Sequence, residues 1–335
     1  LQTGLLELFI GKGLVNSEGA QWKHDRKLLT PLFHFDALTQ SVPKIVSVCA
    51  QKYSALESDA RRTDNSVGLV VSPVNIFSEM TLRFVIAFAM GGNMPVDTMQ
   101  KAYLEMVEPI DELFIYYILV GSAATKLPLS ASTITAEAKG CIASLVQERV
   151  EEALARKARG EEAIDKNNLL EVIVQDGEAG QEKDTIERAI SQGLTFLFAG
   201  LDTATNLLSF ALDYLTRPEN IHYQNEVRQE ALEVFGDYRG FEHANRSSAQ
   251  RLNLCEQVLL ETLRLAPPAP FIERTVTKDT NLGGLQIKAG SAVFPLFYCT
   301  HRDSRFWEEP DIFNPHRFSE KNSAGRKNFT FVPFS

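Results

Sequence analysis

The sequence predicts a mainly α fold with small β-sheets, organised as one domain over residues 1–335. Three observations carry that expectation. Apolar residues recur at helical spacing through most of the chain to about residue 266. One stretch, Asp184 to Arg217, reads as a single unbroken helix. After Pro267-Pro268 the pattern changes to short strands and Pro- and Asn-rich irregular chain. About 33 helical residues at 1.5 Å each span roughly 50 Å. A helix of that length belongs to one sizeable helical body, not to two small ones.

Taken in order, the first helix of note carries Trp22 and Arg26 on one face and runs to about Thr30-Pro31. Helices follow near 40–60 and 74–90. The segment 97–120 ends in the apolar run Leu113 to Val120, and another helix covers about 133–159. The mixed charge run from Glu148 to Glu162 reads as a solvated face. Asp184-Thr-Ile-Glu187 has the form of a capping box opening the long helix, which Pro218 stops. Asn253, with Glu256 three residues on, is a candidate cap for a second helix ended by Pro267-Pro268. Asn281 to Gly290 reads as a hairpin and Ser291 to Phe297 as a strand.

Composition is that of an ordinary globular chain, with 44% hydrophobic and 23% charged residues and ample material for a large core. A net charge of −9 provides no basic footprint for nucleic acid, so no such partner is expected. Cys49, Cys141, Cys255 and Cys299 are far apart, without metal-ligand spacing, and read as small buried hydrophobes in a reducing compartment. Neither a secretory signal nor an apolar run of transmembrane length is evident.

The stretch that asks for chemistry is Thr195-Phe-Leu-Phe-Ala-Gly-Leu-Asp-Thr-Ala-Thr205. Phe196, Ala199, Gly200, Thr203 and Leu207 share a face at helical spacing. That face narrows at Ala199-Gly200, as for something flat lying against it, and offers a hydroxyl one turn later beside Asp202. Oxygen or proton chemistry fits this pattern. So does plain packing, in which Thr203 bonds back to the carbonyl of Ala199 and Gly200 relieves crowding.

Other pieces decide between the two. Glu261-Thr-Leu-Arg264 places an acid and a base at i,i+3, which alone is usually a surface pair of little consequence. About fifty residues later comes Phe313-Asn-Pro-His-Arg317-Phe, and near the start Trp22-Lys-His-Asp-Arg26. In this order and spacing, WxxxR, AGxDT, ExxR and FxPxRF resemble the cytochrome P-450 haem-thiolate monooxygenases of eukaryotic type. The resemblance covers about Gly11 to Ser335.

The resemblance implies that Glu261, Arg264 and Arg317 form a buried structural triad. It implies that Trp22, Arg26 and Arg274 hold the propionates of haem b, a task suited to the planar, permanently charged guanidinium. Ala199 and Gly200 would lie over the porphyrin with room for O2. Thr203 would position water at the distal oxygen, with Asp202 feeding protons. Lys23, His24, Lys27, Lys321, Arg326 and Lys327 would form a basic face for an acidic electron donor.

The implied activity is insertion of one oxygen atom of O2 into a lipophilic small molecule by a monomer. Electrons would come from an NADPH-dependent flavoprotein reductase. The implied location is the cytosolic face of the endoplasmic reticulum, through an N-terminal anchor outside this chain.

Two departures qualify the likeness. The family's axial cysteine lies in FxxGxRxCxG, and this chain stops at Phe334-Ser335. The expectation is therefore a domain truncated at both ends, with no metal ligand of its own and inactive by itself. Trp22 to Phe35 is similar to the fatty-acid ω-hydroxylase branch, but that branch often carries a haem-esterified Glu where Ala199 stands, so covalent haem is not expected. A hydroperoxide isomerase or lyase of the same fold, and a non-catalytic truncated helical protein, remain as alternatives.

Overall fold

The computed structural model describes residues 2–62, 68–92, 94–127, 129–237 and 239–334. Two compact units divide the chain at Leu201/Asp202. The first contains α1 (Gln2–Ile10), α2 (Gly19–Leu29), a 3-10 turn at Thr30–Phe33, α3 (Phe35–Arg62) and α4 (Pro73–Val85). A π turn, Ile86–Met90, extends α4. Then come α5 (Val96–Val107), α6 (Ile110–Val120), α7 (Ser130–Ala158), α8 (Leu169–Asp176) and the first part of α9 (Glu182–Thr216).

Sequence pattern places this unit's core. Along α7, Thr135, Ala138, Ile142, Val146, Val150 and Ala153 recur every three or four residues and are all buried. They meet Met99, Tyr103 and Met106 of α5, all inaccessible to solvent. Local signals set the ends. Ser72 caps α4 by accepting from the Asn75 N–H, with Pro73 at the first helical position. Asn168, itself buried, caps α8 through the N–H groups of Leu170 and Glu171.

The second unit holds the rest of α9, α10 (Ile221–Phe235), α11 (Arg246–Ala249), α12 (Asn253–Leu265), α13 (Phe297–Thr300) and α14 (Glu320–Ser323). Among the described residues its strands are short. β1 (Arg274–Thr275) pairs antiparallel with β4 (Ala292–Val293), and β2 (Thr280–Leu282) with β3 (Leu285–Ile287). Gly283 and Gly284 turn the second hairpin with φ of 58° and 90°, both left-handed, as a two-residue primed turn requires. The core lies where Val258 and Leu265 of α12 meet Ala211, Tyr214 and Phe313.

Several expectations are corrected. The segment 97–120 is two helices broken at Glu108-Pro109, because Pro109 has no N–H for a continuing turn. Asp184 is not a cap. The helix already starts at Glu182, where the Gln181 carbonyl accepts from Thr185 N–H, so Asp184 sits inside the first turn. Asn253 does not cap α12 either: both carboxylate oxygens of Glu230 accept from the N–H groups of Leu254 and Cys255, at 2.7 and 3.0 Å.

Only Ala292–Val293 of the 291–297 segment forms a strand, since Pro295 cannot donate to a ladder and Phe297 begins α13. Cys141 and Cys299 are exposed rather than buried. The 148–162 run is not wholly solvated. Lys157 turns inward, donating to the carbonyls of Val174, Gln175 and Gly177 at the C-terminal end of α8, while Arg156 pairs with Glu171. Two helices, Pro73–Met90 and α9, are long and apolar enough to cross a membrane by length and composition, against the expectation of none. Ser335 lies outside the described residues.

Candidate functional site

Helix α9 runs unbroken from Glu182 to Thr216 and ends ahead of Pro218, as its pattern predicts. From Thr185 to Phe198 only Glu187 is exposed. Then Ala199, Thr203, Asn206 and Phe210 are exposed in succession. At 100° per residue these four fall within about 60° of arc. The helix thus presents one continuous open stripe, beginning at a methyl group and followed by a hydroxyl, with half-buried Asp202 beside it. Gly200 is not on that stripe. A Cβ there would meet Val85 Cγ2 at 3.0 Å, so this glycine allows α4 to approach α9. Clearance on the open face therefore comes from Ala199 alone.

Helix α2 divides its residues by arc. Trp22 and Arg26, at i,i+4, are exposed together, and among the described residues neither side chain makes a hydrogen bond or ion pair. Between them, Asp25 is buried, accepting from Gln21 and Gln192 and pairing with Arg188. His24 pairs with Asp176 at 2.9 Å. Arg274 sits exposed on β1, one Nη donating to the neighbouring carbonyl of Glu273.

The Glu–Arg–Arg cluster lies within the second unit. Glu261 and Arg264 have no solvent exposure. All five N–H donors of Arg264 are used: two on Glu261 at 2.7 and 2.8 Å, three on the carbonyls of His301, Pro310 and Ile312. Glu261 also accepts from Asn314 N–H at 2.8 Å, and Arg317 Nε stands 3.5 Å away. The indole of Trp307 lies against the Arg264 guanidinium at 5.0 Å. Arg326, expected in a solvated basic face, instead stacks on Trp307 and Phe318 and donates to the Arg317 carbonyl. Its guanidinium carbon lies 4.8 and 4.4 Å from the centroids of those rings. His24, bound to Asp176, is likewise committed within its own unit. Lys23, Lys27, Lys321 and Lys327 remain exposed.

His301 is a buried member that the sequence did not single out. Its Nε2 accepts from Val332 N–H at 2.9 Å, and its ring faces Phe297 and Phe331. Burial, then the nearby Arg264 charge, pulls its pKa from 6.5 down to about 4. The unfolded chain takes up that proton first. Stability from the neutral ring is thus fully present above about pH 6.5 and is lost as the pH falls toward 4. His301→Gln keeps a side-chain acceptor near Val332 without the titration. Between pH 7 and 4.5 its urea midpoint should fall less steeply than that of wild type. Parallel curves would mean that other groups govern the acid limb.

Fold and side chains together define a mainly helical protein with a buried Glu–Arg–Arg lock and an open Ala–Thr stripe on its longest helix. A family model described as cytochrome P-450 matches residues 3–335. Relatives include cytochrome P-450 4V2 of Mus musculus, 28% identical over 355 residues that cover 98% of this chain and 64% of that protein. Cytochrome P-450 4B1 of Rattus norvegicus is 28% identical over 347 residues, 98% of this chain and 64% of that protein. Cytochrome P-450 CYP72A219 of Panax ginseng is 26% identical over 347 residues, 98% and 63% respectively. The chain belongs to the cytochrome P-450 family, whose members use haem iron and O2. It spans about 64% of the length of the mouse relative.

The residues present fit haem. Trp22, Arg26 and Arg274 are nitrogen donors on exposed positions, two of them permanent cations, the chemistry that carboxylates such as propionates require. The narrow start of the α9 stripe suits a flat ring, and Ala199 has no group with which to esterify it.

Proposed function

We propose that the protein of which this chain is part is a haem-dependent monooxygenase, placing one oxygen atom of O2 into a lipophilic substrate. The single observation that carries the reading is the open α9 stripe, with the Thr203 hydroxyl one turn beyond Ala199 and the Asp202 carboxyl beside it. Residues 1–335 would belong to one domain, acting as a monomer. Haem iron supplies the binding and reductive activation of O2. Trp22, Arg26 and Arg274 would hold its propionates, and Ala199 would leave clearance above the ring plane. Thr203 would hold a water at its Oγ1, and Asp202 would pass protons to that water from solvent. Glu261, Arg264 and Arg317 would hold the chain of the second unit together without touching substrate.

Lys23, Lys27, Lys321 and Lys327 are the groups an acidic NADPH-dependent reductase would meet. Family-4 names recur among the relatives, which supports the resemblance of Trp22 to Phe35 to the fatty-acid ω-hydroxylase branch. Both membrane-length helices carry core or stripe residues. Attachment to the cytosolic face of the endoplasmic reticulum would therefore use a separate N-terminal segment.

The test is coupling in the full-length protein reconstituted with its reductase. Thr203→Ala should keep the fold while product per NADPH consumed falls several-fold and peroxide release rises. Asp202→Asn should slow turnover with less effect on that ratio. Wild-type turnover that needs neither NADPH nor O2 would move the assignment to a hydroperoxide isomerase. Unchanged coupling in Thr203→Ala would reduce Thr203 to a packing residue.

A further inference from the structure

We propose that Asp25 is a positioning residue for the cofactor, holding α2 at the one rotation that presents Trp22 and Arg26 together; this rests on the reading of those two as propionate donors. Little else fixes the rotation of α2. Of its eleven residues, α2 buries only Asp25 and Leu29, and its N-cap residue Glu18 makes no side-chain cap. Leu29 is the last residue of the helix, so apolar packing fixes one end and leaves the first two turns, which carry Trp22, without a hydrophobic anchor.

Polar contacts take that place. At 100° per residue, Gln21, His24 and Asp25 share one arc of α2, and Trp22 and Arg26 share another. Two members of the first arc, His24 and Asp25, are tied to α8 and α9, and Gln21 braces Asp25 from within α2. Asp25 Oδ1 accepts from Arg188 Nε at 2.7 Å, and Oδ2 accepts from Gln21 and Gln192, each at 3.0 Å. Arg188 donates onward to Asp176 at 2.6 Å, and the same Asp176 oxygen meets His24 Nε2 at 2.9 Å. Asp25 is 1% exposed.

A buried ion pair of this kind adds little net stability over an apolar replacement; its best-attested use is to fix register. Here the register in question is that of a helix whose next residue is Arg26. Rotation by one 100° step would turn Arg26 to where Asp25 now lies.

The test uses the full-length, haem-loaded protein and follows haem loss to apomyoglobin, with far-UV circular dichroism and urea midpoints measured alongside. Arg26→Ala is the reference and should hasten haem loss. Asp25→Asn should hasten it about tenfold, within the range of groups that orient a ligand from behind. It should also move the resonance Raman propionate bending band toward that of Arg26→Ala. The combined variant should lose haem no faster than Asp25→Asn alone, because once α2 has turned Arg26 has no contact left to lose. Asp176→Asn, on a less buried link of the same chain, should give a smaller rise of about threefold, and it serves if Asp25→Asn does not fold.

Haem loss unchanged in Asp25→Asn and Asp176→Asn, or additive with Arg26→Ala, would overturn the positioning role while leaving the propionate reading intact. An Arg26→Ala protein that keeps haem like wild type would remove that reading, and the proposal with it.

Discussion

Glu261→Ala and Arg264→Ala are each expected to cost about 3–5 kcal/mol, the loss typical when one partner of a buried ion pair is removed. That is much of a domain's usual margin of about 5–15 kcal/mol. The two should not be equal. Without Arg264, Glu261 keeps the Asn314 N–H and the Arg317 guanidinium 3.5 Å away, while three carbonyls lose their donors. Without Glu261, Arg264 keeps its three carbonyl bonds but stands near two other guanidinia, Arg317 and Arg326, with no carboxylate between them. Glu261→Ala should therefore be the worse.

Arg264→Lys separates charge from shape. It retains the cation, but an ammonium has three donors where the guanidinium fills five acceptors, so most of the loss should remain. The chain has two tryptophans, of which Trp307 is buried and Trp22 exposed. Trp307 lies against Arg264, so its emission in a urea titration reports on this cluster directly. An Arg264→Ala protein with the wild-type midpoint and emission would show that the cluster does not hold the second unit.

How much of this was legible from sequence depended on whether the deciding contact was local. The 3.6 period of α7 and α9, Pro218 after α9, Pro267-Pro268 after α12 and the Gly283-Gly284 turn all act within a few residues, and each appears where the sequence placed it. The Glu261–Arg264 pair was visible as i,i+3 spacing, but its burial was not, because that depends on carbonyls of residues 301, 310 and 312. The same limit explains the errors. Glu230 caps α12 from another helix, an arrangement that no pattern around Asn253 encodes. Arg326 stacks on Trp307, nineteen positions earlier in the chain.

Gly200 was placed on the wrong face, and Asp25 was passed over, for a related reason. Helical spacing groups residues into faces but does not say which neighbour each face meets. Only Val85 against Gly200, and Arg188 against Asp25, settle that. A local clue to Asp25 did exist: an acid in the middle of the WxxxR segment, with Arg188 and Gln192 at i,i+4 along the long helix.

Gly13→Ala should be the other strongly destabilising change, by about 2–3 kcal/mol, the usual cost of overpacking. Gly13 is buried in the loop between α1 and α2, where that loop lies on α9. A Cβ at this position would come 1.7 Å from Thr195 Oγ1 and 2.9 Å from both the Ser191 carbonyl oxygen and Thr195 Cβ. Turning Thr195 about χ1 moves its hydroxyl from the place where it bonds the Ser191 carbonyl at 2.7 Å and leaves Thr195 Cβ, 2.9 Å away, where it is. Nor is the loop free to slide. Gly13 N–H donates to Asn16 Oδ1, Asn16 Nδ2 donates to the Gly11 carbonyl, and Leu14 N–H donates to Gln192 Oε1. The strain therefore falls on α9 itself, one turn before the open stripe begins at Ala199. Thr195→Ala removes the nearest atom and should recover part of the loss in the double variant, but not all, because the Ser191 carbonyl and the residue-195 Cβ remain. Urea midpoints of the four proteins measure this as a coupling energy. A Gly13→Ala protein within about 0.5 kcal/mol of wild type, the range of an ordinary surface change, would show that the loop does not press on the helix as closely as this geometry requires.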